Sequence, residues 1–174
     1  TAVAWPAQAS LAVGLAEIAD RPAIWPGLGS RDLGEIRLVI TADSQSFRDF
    51  TRGRLPGWGA GAAFPGGRTI ILRADAGDLA GTLRHELAHI ALHQAVRGRV
   101  PLWFDEGYAT MASGQWDLFD RLGINLAVAW GAVPDLRTLD GELRSSRMSP
   151  DAAYALAATA VMELARRNPT GTLE

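Results

Sequence analysis

Apolar and polar residues recur along this chain with two different periods, which predicts a mixture of helices and strands. Helical spacing runs over residues 8–20 and stops before a proline, so a first helix is predicted there. Residues 35–41 and 68–73 are short apolar runs with β-branched side chains and are predicted as strands. Asp43 is predicted to cap a helix that continues through Phe50.

Two consecutive helices are predicted in the middle of the chain. The first covers about residues 78–97, with Asp75 or Asp78 as its cap. Gly98 can end this helix, and Pro101 suits the first turn of a second helix. The short connection between them allows the second helix to return antiparallel to the first.

Residues 53–67 interrupt the pattern because they are rich in glycine and contain two prolines. They predict a long surface loop or a flexible wall of a cleft, in which Trp58 or Phe64 covers a bound side chain. Helical spacing returns from Trp116 and again over residues 150–167, so the second half of the chain is predicted to be mainly helical.

Composition and charge argue against several classes of function. With 174 residues and 48% hydrophobic residues, the chain is predicted to form one domain over residues 1–174. No apolar run approaches the ~20 residues of a membrane span. The net charge of -2 is spread along the chain, which argues against a nucleic-acid binder. The absence of cysteine excludes thiolate metal sites and disulfides.

The run HELAH at residues 85–89 places two histidines four residues apart on a predicted helix. Residues at this spacing share a helix face, so His85 and His89 can reach one ion. A catalytic zinc takes three protein ligands and a water molecule, whose pKa falls to about 7. Glu86 lies on the same rim and can remove a proton from that water. The pattern therefore predicts a mononuclear zinc hydrolase with Glu86 as its general base.

The third ligand must come from another segment, because His93 lies too far along the same helix. A rise of 1.5 Å per residue separates positions 85 and 93 by roughly 12 Å, against metal bonds of about 2 Å. His93 is therefore predicted to pack or to form a hydrogen bond. Glu106, in the run WFDEGYA, is the better candidate. On a helix, Asp105 points about 100° away from its neighbour Glu106. It therefore ranks below Glu106 as a metal ligand and is predicted instead to accept a hydrogen bond from a ligand.

Together, HELAH and WFDEGYA resemble the paired motifs of gluzincin metallopeptidases, in particular the bacterial peptidase MA-like domains. They are more distantly similar to the zinc aminopeptidases with HExxH and W-x-x-E-G-x-A. The likeness extends over roughly residues 36–165, and its specific part is the two short motifs. It implies one Zn²⁺ ion bound by His85, His89 and Glu106, with Glu86 as the base in peptide-bond hydrolysis.

The resemblance also implies a donor that stabilises the oxyanion, often a tyrosine or histidine from a later helix. Tyr154 lies at the start of the last predicted helix and is predicted to be this donor. Tyr108 is the other candidate for this donor. It lies two residues after Glu106, which turns it away from the metal face, so it is predicted to pack.

The expected fold class is α+β, with a small, mostly antiparallel sheet packed on helices in a zincin-like catalytic domain. By resemblance, the strand at residues 68–73 forms the sheet edge above the metal. An extended peptide can add to such an edge as another strand, so a peptide or protein substrate is expected. The resemblance further implies an extracytoplasmic location, whether periplasmic, secreted or membrane-tethered.

Two other functions stay open from the sequence alone. A zinc-binding interaction or regulatory domain with little turnover would keep the same ligands, and a nonpeptide amidase would use the same water chemistry. An intact Glu86 favours an enzyme, because metal binding alone needs no base. The chain starts at Thr1, so a processed form or a cloned segment of a longer protein is expected. Oligomeric state and cleavage specificity are left open.

Overall fold

The computed structural model describes residues 1–54, 59–115, 136–145 and 150–168. The strands are β1 (Ala2–Ala4), β2 (Ile24–Trp25), β3 (Gly29–Ser30), β4 (Arg37–Thr41), β5 (Gly61–Phe64) and β6 (Thr69–Arg73). The helices are α1 (Ala9–Ala19), α2 (Ser44–Thr51), α3 (Leu79–Ala95), α4 (Leu102–Ser113), α5 (Leu136–Ser145) and α6 (Pro150–Arg167). The class is α+β, as predicted.

The main sheet is mixed. Its four strands lie in the order β1-β4-β6-β5, and β2 pairs with β3 in a separate antiparallel ribbon. β4 is parallel to both β1 and β6, and only β5 runs antiparallel to its neighbour. The expectation of a mostly antiparallel sheet is therefore wrong. Parallel neighbours need a long crossover, and α2 supplies one between β4 and β6.

The edge of the sheet beside the motif helix is β5 rather than β6. Because β6 pairs with β4 on one side and β5 on the other, the expectation that residues 68–73 form the edge is wrong. β5 comes from the glycine-rich segment that predicted a surface loop. It joins β6 through a tight turn at Pro65–Gly67, after which Arg68 adopts a left-handed backbone with φ of 44°. Trp58 lies outside the described residues.

The two faces of the main sheet pack against different helices, as the two-residue period of a strand requires. Leu38 and Leu72 belong to the main core with α1 and α3. Val39 and Ile71 face the other way and pack with Phe47 of α2. Ala62 of β5 lies on this second face. Phe64 follows it by two residues and therefore lies on the face away from α3, which does not fit a role in covering a substrate at the motif helix.

The predicted helix starts are confirmed where the capping atoms are described. Asp43 accepts a hydrogen bond from the Ser46 backbone N–H (2.8 Å) at the start of α2. Asp78 accepts from the Gly81 N–H (2.9 Å) at the start of α3. Asp75 instead forms an ion pair with a neighbouring arginine, so Asp78 is the cap. The predicted helix from Trp116 lies outside the described residues.

α3 runs between the sheet and α4, so it is buried on several sides. Its buried apolar side chains are Leu83, Leu87, Ala88, Ile90, Ala91 and Leu92. α4 returns against α3 and also packs on α6. Within the described ranges, no helix combines the length and apolar character needed to span a bilayer.

Gly107 sets how closely α4 and α6 approach. A Cβ added at this glycine would lie 2.4 Å from the Ala157 carbonyl oxygen and 2.5 Å from the Ala157 carbonyl carbon. Both atoms belong to the backbone of α6, so no rotamer change can move them away. Only glycine allows this spacing, in which the residue after Glu106 touches the helix that carries Tyr154.

Candidate metal centre

Three side chains from α3 and α4 converge in the way that the spacing predicted. His85, His89 and Glu106 each offer one ligand atom, and these atoms all lie within 4.8 Å of one another. Glu106 Oε2 lies 3.4 Å from His85 Nε2 and 3.6 Å from His89 Nε2. Two imidazole nitrogens and a carboxylate around one point form a group that could hold a metal ion.

Asp105 fixes the orientation of one of these histidines. The His89 Nδ1–H donates to Asp105 Oδ1 over 2.6 Å. Since Nδ1 is engaged by Asp105, Nε2 is the nitrogen of His89 that faces Glu106 and can bind a metal once it is deprotonated. Carboxylates behind metal-binding histidines commonly act in this way. Asp105 therefore accepts a hydrogen bond from one of the candidate ligands, as predicted.

His93 completes this arrangement from the next turn of α3. Its Nε2–H donates to the other oxygen of Asp105, Oδ2, over 2.7 Å. The prediction that His93 forms a hydrogen bond is confirmed. Asp105 thus joins two histidines one turn apart. His85 has a different environment, because its Nδ1 is buried and no described atom accepts a hydrogen bond from it.

The charges around His89 favour its protonated form in the metal-free protein. Burial lowers the pKa of His89, but the hydrogen bond to Asp105 and the charges of Glu106, Asp105 and Glu86 outweigh burial and raise the pKa to about 9. For Asp105, burial raises the pKa, while the hydrogen bonds and charges of His89 and His93 bring it below its ordinary value. The metal-free centre therefore holds a proton on a residue that a metal needs in neutral form.

Metal binding is expected to release at least one proton per ion at pH 7.5, because His89 is protonated below pH 9 and must lose its proton to bind. The affinity should rise as the pH approaches 9. The same raised pKa stabilises the metal-free fold fully below pH 6.5, and this contribution is lost as the pH rises through about 9. Titration calorimetry in two buffers of different ionisation enthalpy measures the release. Binding without proton release would contradict the protonated state of His89.

Glu86 is buried between the two histidines and the edge strand, with 7% of its surface exposed. A hydrogen bond from the Ala63 backbone N–H holds its carboxylate. A Cβ added at Gly61 would lie 2.9 Å from Glu86 Oε1, so β5 passes directly over this side chain. Burial and the charge of Glu106 raise the pKa of Glu86, and together they outweigh the two histidines and the Ala63 bond, which lower it. Glu86 can therefore hold a proton at a higher pH than an exposed glutamate.

The two tyrosines have different environments. The ring of Tyr154, on α6, lies 6.2 Å from the ring of His85, which brings it to the rim of the candidate site. Tyr108 is fully buried, and its hydroxyl donates to the Pro26 carbonyl oxygen over 2.9 Å. The prediction that Tyr108 packs is confirmed.

The contacts from β5 to Glu86 are the part of the site that the sequence analysis missed. A glycine followed by two alanines and a phenylalanine lacks the β-branched residues that indicate a strand. The proline and two glycines at residues 65–67, directly before the predicted strand at residues 68–73, were a signal for a hairpin. Comparison of the chain with known protein families, with curated proteins and with solved structures found no match.

Proposed function

We propose that the chain is a zinc-dependent metallopeptidase of the gluzincin type. The observation that carries this proposal is the convergence of His85, His89 and Glu106 beside the buried carboxylate of Glu86. A docking domain needs the metal ligands alone, whereas a hydrolase also needs a base within reach. The placement of Glu86 therefore favours catalysis.

Two histidines and one glutamate form a donor set typical of catalytic zinc, with an open position left for water. The hydrogen bond from His89 to Asp105 supports this assignment, because it prepares Nε2 for a metal without further rearrangement. When bound, zinc would polarise the substrate carbonyl and lower the pKa of the attacking water to about 7.

In this proposal Glu86 moves the protons of the reaction. Its carboxylate accepts one proton from the water as the water oxygen bonds to the carbonyl carbon. It then donates that proton to the amide nitrogen as the carbon–nitrogen bond breaks, so the base is restored. The burial that raises the pKa of Glu86 helps it to hold the proton between the two steps. The Ala63 N–H keeps the carboxylate directed at the site.

The substrate is proposed to be an extended peptide lying along β5. Ala60 accepts a hydrogen bond from Arg73, and bonded residues alternate along an antiparallel pair, so the backbone groups of Gly61 and Ala63 are turned away from β6. The Ala63 N–H already bonds to Glu86, whereas both backbone groups of Gly61 and the Ala63 carbonyl can pair with a peptide added to the edge. Because β5 also contacts Glu86, such a peptide would lie beside the base.

The proposal is tested by incubating the purified chain with zinc and a mixed peptide library, and reading new termini by mass spectrometry. Cleavage that stops with a chelator and returns with added zinc would support a peptidase. Stoichiometric zinc without any cleavage would contradict the catalytic assignment, while leaving the metal centre in place.

Replacing Tyr154 by phenylalanine is expected to lower kcat by roughly 10²-fold with zinc affinity retained, because one oxyanion donor is lost. Tyr108→Phe is the matched control, since it removes a tyrosine hydroxyl that bonds to the Pro26 carbonyl oxygen rather than facing the proposed site. The control should lower the melting temperature and leave kcat unchanged. Equal kcat for Tyr154→Phe and wild type would remove Tyr154 from this role.

A further inference from the structure

The helix that carries Glu106 has no side-chain cap of its own. Pro101 occupies the cap position of α4 and accepts nothing through a side chain. The first backbone N–H groups of any helix lack partners inside the helix, so they need acceptors from elsewhere. In α4 these groups precede Asp105 and Glu106 by only a few residues.

Asp140, on α5, supplies the missing acceptors. Its Oδ1 accepts from the Trp103 N–H over 2.8 Å, and its Oδ2 lies 3.3 Å from the Leu102 N–H. Both carboxylate oxygens therefore hold the first turn of α4 from a segment that lies 37 and 38 residues further along the chain. A carboxylate is also favoured at this end of a helix, where the helix dipole is positive.

The neighbour of Asp140 anchors the cap. Leu139 is fully buried and forms a cluster with residues of α6, against which Trp103 packs. α5 thus packs against both α4 and α6, which anchors Asp140 beside the start of α4. The hydrogen bonds from Leu102 and Trp103 to Asp140 therefore fix the first turn of α4.

We propose that Asp140 is a positioning residue for the metal centre. By fixing the first turn of α4, it sets the direction in which Asp105 and Glu106 leave the helix. Asp105 then orients His89, so two of the three ligand side chains depend on the same turn. The inference rests on the proposed metal site but not on peptide hydrolysis.

The test compares Asp140→Ala with Asp43→Ala by zinc affinity, measured in competition with a chromogenic chelator. Asp43 caps α2 on the opposite face of the sheet, so its loss removes a cap of the same chemistry far from the ligands. Both variants should melt at a lower temperature than wild type. Only Asp140→Ala is expected to bind zinc about tenfold more weakly.

Hydrogen exchange of the metal-free proteins provides a second readout. Protection of the amides at residues 102–106 should fall in Asp140→Ala and remain in Asp43→Ala. Asp140→Asn keeps one acceptor oxygen and is expected to lie between wild type and Asp140→Ala in zinc affinity. It also decides the question if the alanine variant does not fold.

Zinc affinity within twofold of wild type in folded Asp140→Ala would overturn the inference, and in Asp140→Asn it would do so if the alanine variant does not fold. So would a loss of the same size in Asp43→Ala, since the effect would then be general destabilisation. If wild type binds zinc but cleaves no peptide, the proposed function fails. A weaker affinity in Asp140→Ala would still support the positioning role.

Discussion

Glu86→Gln is expected to lower peptide hydrolysis by roughly 10²- to 10⁴-fold while zinc stays bound. Glutamine keeps the shape of the side chain and an acceptor for the Ala63 N–H, but it cannot accept a proton from water. The proposed ligands His85, His89 and Glu106 are unchanged. Single-turnover hydrolysis and metal content, measured on the same preparation, separate the two effects.

The matched control for this substitution is Glu17→Gln, because Glu17 is an exposed glutamate on α1. It makes the same chemical change away from the centre and should leave hydrolysis unchanged. Glu86→Gln should melt no lower than wild type in the metal-free form, since a neutral side chain replaces a buried carboxyl group whose pKa burial raises. Hydrolysis by Glu86→Gln at the wild-type rate would remove Glu86 as the base.

Gly107→Ala is expected to destabilise the protein by about 1–3 kcal/mol or more, because the new methyl group overlaps the backbone of α6. α4 and α6 must separate to accept it. Tyr154 lies about one turn before Ala157, so this separation would move the proposed oxyanion donor away from Glu106. Turnover should therefore fall more than zinc affinity, since His85 and His89 lie on a different helix.

Gly14→Ala is the control for this effect. Gly14 lies in the interior of α1, and nothing approaches the position of an added Cβ within 4 Å. Alanine there should stabilise the protein by about 0.5–1 kcal/mol through its higher helix propensity. Chemical unfolding of both variants measures the difference. A Gly107→Ala protein as stable as Gly14→Ala would contradict the close helix contact.

The convergence of the candidate ligands could be predicted because it depends on local spacing. The four-residue separation of His85 and His89 puts both on one helix face, and a short connection returns Glu106 to meet them. The same helical geometry predicted that Asp105 points away from Glu106 and accepts a hydrogen bond from a ligand. In the structure it accepts one from His89. In each case one helix and one turn determine where the side chain lies.

The sheet arrangement and the cap from Asp140 depend on contacts between distant segments. β5 has little strand propensity of its own and is a strand because it pairs with β6. No motif marks Asp140 as the partner of Leu102 and Trp103. The parallel pairing of β4 and β6 had a signal in the sequence, because a predicted helix lies between the two predicted strands.

The central claim is that His85, His89 and Glu106 bind one zinc ion. Elemental analysis of wild type and Glu106→Ala, after equilibration with zinc and removal of the excess, tests it most directly. The account predicts one zinc per chain in wild type and at least a tenfold weaker affinity in the variant. Absence of zinc from wild type, or an unchanged affinity in Glu106→Ala, would contradict it.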